Sequence, residues 1–167
     1  MEIRTIGSFL DYYEKVHART RRVIECIPPD KLEWTFAEGH FTLGDLVRHL
    51  AAINRYMFTE CVMNRPSSYP GHSRELADGF DATIKYFATR QTETVELLKT
   101  LTPEQLLAKC KTPDGADISV WKWLRAMVEH EIHHRGQIYM YLAMLGVKTP
   151  PLYGLTSEQV REKSLGR

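Results

Sequence analysis

Residues 119–146 read SVWKWLRAMVEHEIHHRGQIYMYLAMLG. Trp123, Met127, His130, His134, Ile138 or Gln137, Tyr141 and Leu145 recur at spacings of three and four. That is the seam of a helix packed in a bundle. Gly146 provides the stop, because glycine readily takes the left-handed conformation that ends a helix. Within the stretch lies His130-Glu131-Ile132-His133-His134-Arg135-Gly136-Gln137. Residues four apart on a helix are about 40° apart in projection, so His130 and His134 share a face. Two imidazoles so placed can chelate one borderline-soft cation such as Zn²⁺ at about 2.0–2.1 Å. That face is also the expected core stripe, where an imidazole needs a metal or hydrogen bonds to satisfy it.

The rest of the chain reads as helices separated by proline and glycine. Phe9, Tyr12 or Tyr13, Val16, Thr20, Val23 and Ile27 mark a first helix from about Ser8 to Ile27, stopped by Pro28-Pro29. A connector through Trp34, Phe36 and Phe41 leads to Thr42, where Thr42-Leu43-Gly44-Asp45 caps a second helix. Its apolar face is Leu43, Leu46, Leu50, Ile53 and Met57, with His49 beside it. A third helix is expected from Ser73 to about Leu101, its stripe carried by Phe80, Ile84, Phe87, Thr94 and Leu98. Thr102-Pro103 opens a short helix, and a loop over Lys109 to Asp117 has room for a short ribbon. After the fourth helix, Pro150 to Gly154 is turn-like and a short helix follows from Ser157. The reading is an all-α, single-domain chain over residues 1–167: a four-helix bundle with a long connector between helices 1 and 2 and short extra helices.

A bundle core takes ligands from facing helices. His49 is the other histidine inside a long helix near its buried face; His17 falls beside a polar turn, and His40 and His72 fall in connectors. His49, His130 and His134 are therefore the candidate metal ligands. Three protein ligands leave an open position, the arrangement of catalytic zinc. His133 could exchange with His134 through a register error. The stripe through Met127, Ile138 and Tyr141 favours His134 and leaves His133 as a supporting or interface residue. Gln137, one turn on, could hydrogen-bond water on the metal; solvation or helix packing is an equal alternative. The segment also spells H-E-x-x-H, as in zinc peptidases. The extended peptidase pattern needs Gly at 137 and His at 140, where this chain has Gln137 and Met140, and Glu158 as a downstream ligand follows a Pro-Pro break. Glu131 therefore reads as a supporting or surface residue rather than a base.

Composition narrows the partners. Hydrophobic residues make up 43%, charged residues 26%, and the net charge is +1. No basic excess of the kind that binds nucleic acid is present, and Arg19, Arg21 and Arg22 read as a solvated face. Cys26, Cys61 and Cys110 are odd in number and lack metal or disulfide spacing, so they read as small buried hydrophobes in a reducing compartment. No apolar run reaches the ~20 residues of a membrane span. The start at Met1-Glu2-Ile3-Arg4 carries no secretory leader, so a cytoplasmic location is expected. Tyr56, Trp121, Trp123 and Tyr139 read as packing residues, with a pocket or a dimer seam as the alternative.

Three stretches resemble the DinB family of metal-binding four-helix bundles. They are Thr42-Leu43-Gly44-Asp45-Leu46-Val47-Arg48-His49-Leu50, the segment from His130 to Gln137, which is close to the family's HE-x-HHRGQ signature, and the tail Pro151-Leu152-Tyr153-Gly154. The resemblance runs in order along nearly the whole chain. It implies a bundle, often a homodimer, with one divalent ion, Zn or Ni foremost, on His49, His130 and His134. Related proteins include S-transferases and isomerases that use bacillithiol, mycothiol or glutathione, and others described as metal-dependent hydrolases.

Two functions follow as expectations. In the first, the open metal position holds a low-molecular-weight thiol as thiolate, which attacks a small electrophile, or holds water for hydrolysis. In the second, the chain is a non-enzymatic, stress-related binding module whose metal stabilises the bundle.

Overall fold

The structure, a computed structural model, describes residues 3–166. Met1 and Glu2, part of the start read above as leaderless, lie outside the described residues. Helix α1 spans Ile6–Ile24, opened by Thr5, whose hydroxyl accepts the Ser8 amide. A single 3₁₀ turn, Pro29–Lys31, follows the proline stop. Helix α2 spans Leu43–Ile53 and opens with a capping box: the Asp45 amide donates to Thr42 Oγ1 and the Thr42 amide to Asp45 Oδ2. It runs on without a break through a π-turn, Asn54–Phe58, into α3, Thr59–Val62. The Thr59 hydroxyl donates to the Asn54 carbonyl at 2.7 Å, tying the wide turn together.

Helix α4 spans Phe80–Leu98 and so starts seven residues later than the pattern from Ser73 predicts. Two causes are visible. Gly79 sits at φ 81°, which interrupts a helix, and the buried Arg48 side chain draws the carbonyls of His72 and Ala77 at 3.0 and 3.2 Å. Those carbonyls serve the arginine, and only a 3₁₀ turn, Arg74–Leu76, forms between them. Helix α5, Pro103–Leu107, and an antiparallel ribbon of β1, Lys109–Lys111, with β2, Asp117–Ser119, lead into α6, Val120–Met144. Gly146, at φ 71°, ends α6. The last helix, α7, Ser157–Ser164, buries no side chain.

The four long rods are α1, α2 with its π-turn and α3, α4, and α6. Helix α1 packs mainly on α6, and α2 on both α4 and α6. The core divides into two apolar clusters. One gathers Phe9, Phe58, Leu98, Leu124 and Met127; the other gathers Val23, Leu46, Leu50, Phe87, Ile138 and Leu142. Between them is a polar layer of His17, Asn54, Glu131 and Arg135, all buried.

That layer corrects the expected seam of α6. Its buried line runs through Leu124, Met127, Val128, Glu131, Arg135, Ile138 and Leu142. His130 and His134 do share a face, but they are half-buried at the edge of the core. One residue is about 100° of rotation, so a seam through Glu131 turns its neighbour His130 aside. Apolar periodicity pointed to the histidines because a charged glutamate and arginine are rarely placed at core positions.

Candidate metal centre

The capped start of α2 fixes where His49 projects, and the uninterrupted α6 sets His130 and His134 one turn apart. The three imidazoles meet in the α2–α6 interface. His130 Nε2 is 3.2 Å from His49 Nε2 and 3.0 Å from His134 Nε2, and one nitrogen from each ring lies within 4.8 Å of the others. Among the described residues this is the group of three or more His, Cys, Asp or Glu side chains able to hold a metal ion.

The outer nitrogens explain the orientation. His134 Nδ1 is 2.6 Å from Gln137 Oε1. A carbonyl oxygen only accepts, so the His134 proton sits on Nδ1 and its Nε2 is a bare lone pair. His49 Nδ1 is 2.6 Å from the Tyr69 hydroxyl, which completes the same tautomer when the imidazole N–H donates to it. His130 Nδ1 is buried without a hydrogen-bond partner. Burial and the neighbouring imidazoles push His49 down to about 3 and His130 to about 4; burial also lowers His134. All three are neutral at neutral pH, the form a metal requires. Ligands about 2.0–2.1 Å from a tetrahedral ion lie about 3.3–3.4 Å apart, close to the two nitrogen–nitrogen distances here. Three converging lone pairs repel one another unless a cation or a proton lies between them. The donor set therefore fits a divalent ion.

Aromatic rings surround the centre. Phe41 lies 5.5 Å and Tyr69 5.6 Å from the His49 ring, and Phe58 lies 5.6 Å from His130. The loop carrying Tyr69 and His72 is held by Arg48, which has no exposed surface and pairs with Glu33 at 2.8 Å and Asp45 at 2.8 Å. Tyr69 was not singled out from the sequence and His72 was set aside, because a connector carries no periodic signal; the anchoring role of Arg48, which lies in α2, was missed because an arginine is rarely placed in a core. His72 is 6.1 Å, ring to ring, from His49 and lies tilted against Phe41 at 4.1 Å.

The remaining candidates divide clearly. His133 is exposed, 5.0 Å from the His134 ring. His40 is exposed beside Phe36. Glu131 is neither on the surface nor among the groups that touch the triad. It is fully buried on the other side of α6, accepts from Asn54 Nδ2 at 3.1 Å, and lies 3.2 Å from His17 Nδ1. His17 likewise faces inward rather than a polar turn, because its ring stacks on Phe87. Glu131 thus cannot act as the base of an H-E-x-x-H site, and Glu158 is exposed on α7. Burial raises the thiols of Cys26, Cys61 and Cys110, the last to about 11, which suits inert small hydrophobes, although Cys26 is only half-buried.

A family model of the DinB superfamily matches residues 12–138. The chain is 23% identical over 161 residues to the Bacillus subtilis protein YrdA, covering 93% of this chain and 92% of that protein. A DinB-like protein of known structure from Bacillus cereus superposes with a TM-score of 0.75 at 20% identity, covering 89% of this chain and 97% of the other. YfiT from Bacillus subtilis, described as a probable metal-dependent hydrolase with an unusual four-helix bundle topology, superposes with a TM-score of 0.68 at 19% identity, covering 89% and 91%.

Proposed function

The chain belongs to the DinB superfamily, and on that premise we propose that it is a metal-dependent enzyme acting on small molecules, with one divalent ion on His49, His130 and His134. The observation that carries this reading is the meeting of three neutral imidazoles through their Nε2 atoms, two of the rings oriented from behind by Tyr69 and Gln137. A divalent ion held there supplies Lewis acidity and lowers the pKa of a water or thiol at its open position. Phe41, Phe58 and Tyr69 limit water around the centre, and the half-buried Phe41 and Tyr69 offer apolar surface to a substrate. Hydrolysis has the support of the likeness to YfiT. Transfer of a low-molecular-weight thiol to an electrophile is the other form of the same reading. A homodimer belongs to it too: Ile132, Gly136, Met140 and Met144 recur every four residues along the exposed face of α6.

The test is metal analysis of untagged protein, with His49→Ala and His134→Ala beside it. About one Zn or Ni ion per chain, lost in both variants, is the expected result. The loaded protein is then assayed with activated esters and amides, and with thiols plus epoxides. Turnover of the former alone supports hydrolysis; metal-dependent thiol consumption supports transfer. Bound metal without turnover in either assay favours a binding module. Protein that takes up no zinc or nickel on addition refutes the metal centre.

A further inference from the structure

The three imidazoles occupy one side of α6, and the other side carries a second arrangement. A groove of about 430 Å³ runs between α1 and α4, within the range of about 300–1,000 Å³ typical of small-ligand sites. Its apolar surface includes Phe87 and Val95, and the His17 ring lies nearly parallel to Phe87 at 4.6 Å. Two polar groups on its floor have an atom to spare. Gln91 accepts the Tyr13 hydroxyl on Oε1 at 2.8 Å, and its amide NH₂ has no partner among the described residues. His17 turns Nδ1 toward Glu131, which leaves Nε2 for the groove.

Gln91 is braced from behind through Tyr13, and His17 lies against Glu131 with no hydrogen bond between Nδ1 and Oε1. Tyr13 and Glu131 have no exposed surface, and Asn54 Nδ2 donates to each at 3.1 Å. Asn54 opens the π-turn, a local irregularity often found at functional sites. A fully buried carboxylate is expensive to keep in a bundle core that leucines would fill at no such cost. The layer has an evident use if its imidazole and amide are held rigid for a ligand.

We infer that the groove is a second ligand site, taking a small carboxylic acid with an apolar body. The carboxylate accepts from the Gln91 amide and from His17 Nε2–H, and the body lies on Phe87 and Val95. The ligand then meets the His17 ring at Nε2, across from the Nδ1 that lies 3.2 Å from Glu131 Oε1. At the rim Arg21 lies 3.6 Å from Glu25 and Lys99 2.7 Å from Glu96, and Glu14 is also present. The charges at the mouth nearly cancel, so recognition depends on the two floor groups.

Phenylacetate is the probe and neutral phenylacetamide the control, titrated calorimetrically into the full chain. The variants are Ala88→Trp, which fills the groove from an exposed wall position, His17→Gln, and His134→Ala, which alters only the metal centre. The expected result is saturable phenylacetate binding with a Kd of about 1 mM or tighter. It weakens about 10-fold or more with the amide and in both groove variants, and is unchanged in His134→Ala. Thermal melts check folding, and Ala88→Trp decides the matter if His17→Gln fails to fold. Absence of saturable binding, or full binding in a folded groove variant, overturns the inference. Loss in His134→Ala also overturns it, by placing the acid on the metal, and leaves the metal-centre reading standing.

Discussion

At Tyr69 a single oxygen, 2.6 Å from His49 Nδ1, holds a ring whose other nitrogen faces the proposed metal position. Groups that orient a metal-binding imidazole typically change affinity about 10- to 100-fold when removed. Tyr69→Phe keeps the ring against His49 and deletes the oxygen, so metal affinity measured by competition with a chelator should fall by about that factor while the melting curve without metal moves little. Acid gives a second expectation at this scale. His49 and His130 are held at about 3 and about 4, below the ordinary 6.5. From about pH 6.5 downward the unfolded chain binds protons that the folded chain refuses, so stability without metal falls as pH drops through that window toward 3. Urea unfolding at pH 7, 5.5 and 4.5 should show this, and replacing both histidines with Gln should flatten the trend.

The start of α2 is the element that joins the site to the fold. Its cap, its ion pairs and the loop that brings Tyr69 all converge on Arg48, against which the backbone of Gly44 is pressed. A Cβ at Gly44 would stand 2.8 Å from Glu33 Oε1 and 2.9 Å from Arg48 Nη1. Gly44→Ala should therefore cost about 1–3 kcal/mol through displacement of buried, paired groups, even though alanine is the better helix former. Chemical denaturation reads the loss directly; a variant as stable as the parent would show that the pair can shift aside. The capping box at Thr42 was legible from its spelling, since the hydroxyl and carboxylate act within four residues. The π-turn at Asn54–Phe58 was not, because its wide turn is stabilised by partners on α1 and α6.

For the molecule as a whole, the exposed stripe of Ile132, Gly136, Met140 and Met144 suits close approach of a second α6. Sedimentation equilibrium should show a dimer that Met140→Lys converts to monomer, since a buried lysine there would lack a partner; a monomeric parent protein would refute the homodimer. Among the described residues no helix is long and apolar enough to cross a membrane. The sequence by itself determined four long helices, the Thr42 cap, the stops at Pro28-Pro29 and Gly146, and the pairing of His130 with His134, because these depend on signals local to one stretch of chain. It also placed His49 as the third histidine, since that position lies beside the apolar face of a long helix. Only the tertiary structure decided that α6 buries Glu131 and Arg135 and turns the histidines to the edge. It alone showed that residues 73–79 stay out of helix α4, and that Tyr69 arrives from a loop. These outcomes depend on hydrogen bonds between distant segments, where a buried charge is tolerated because a neighbour in space, not in sequence, satisfies it.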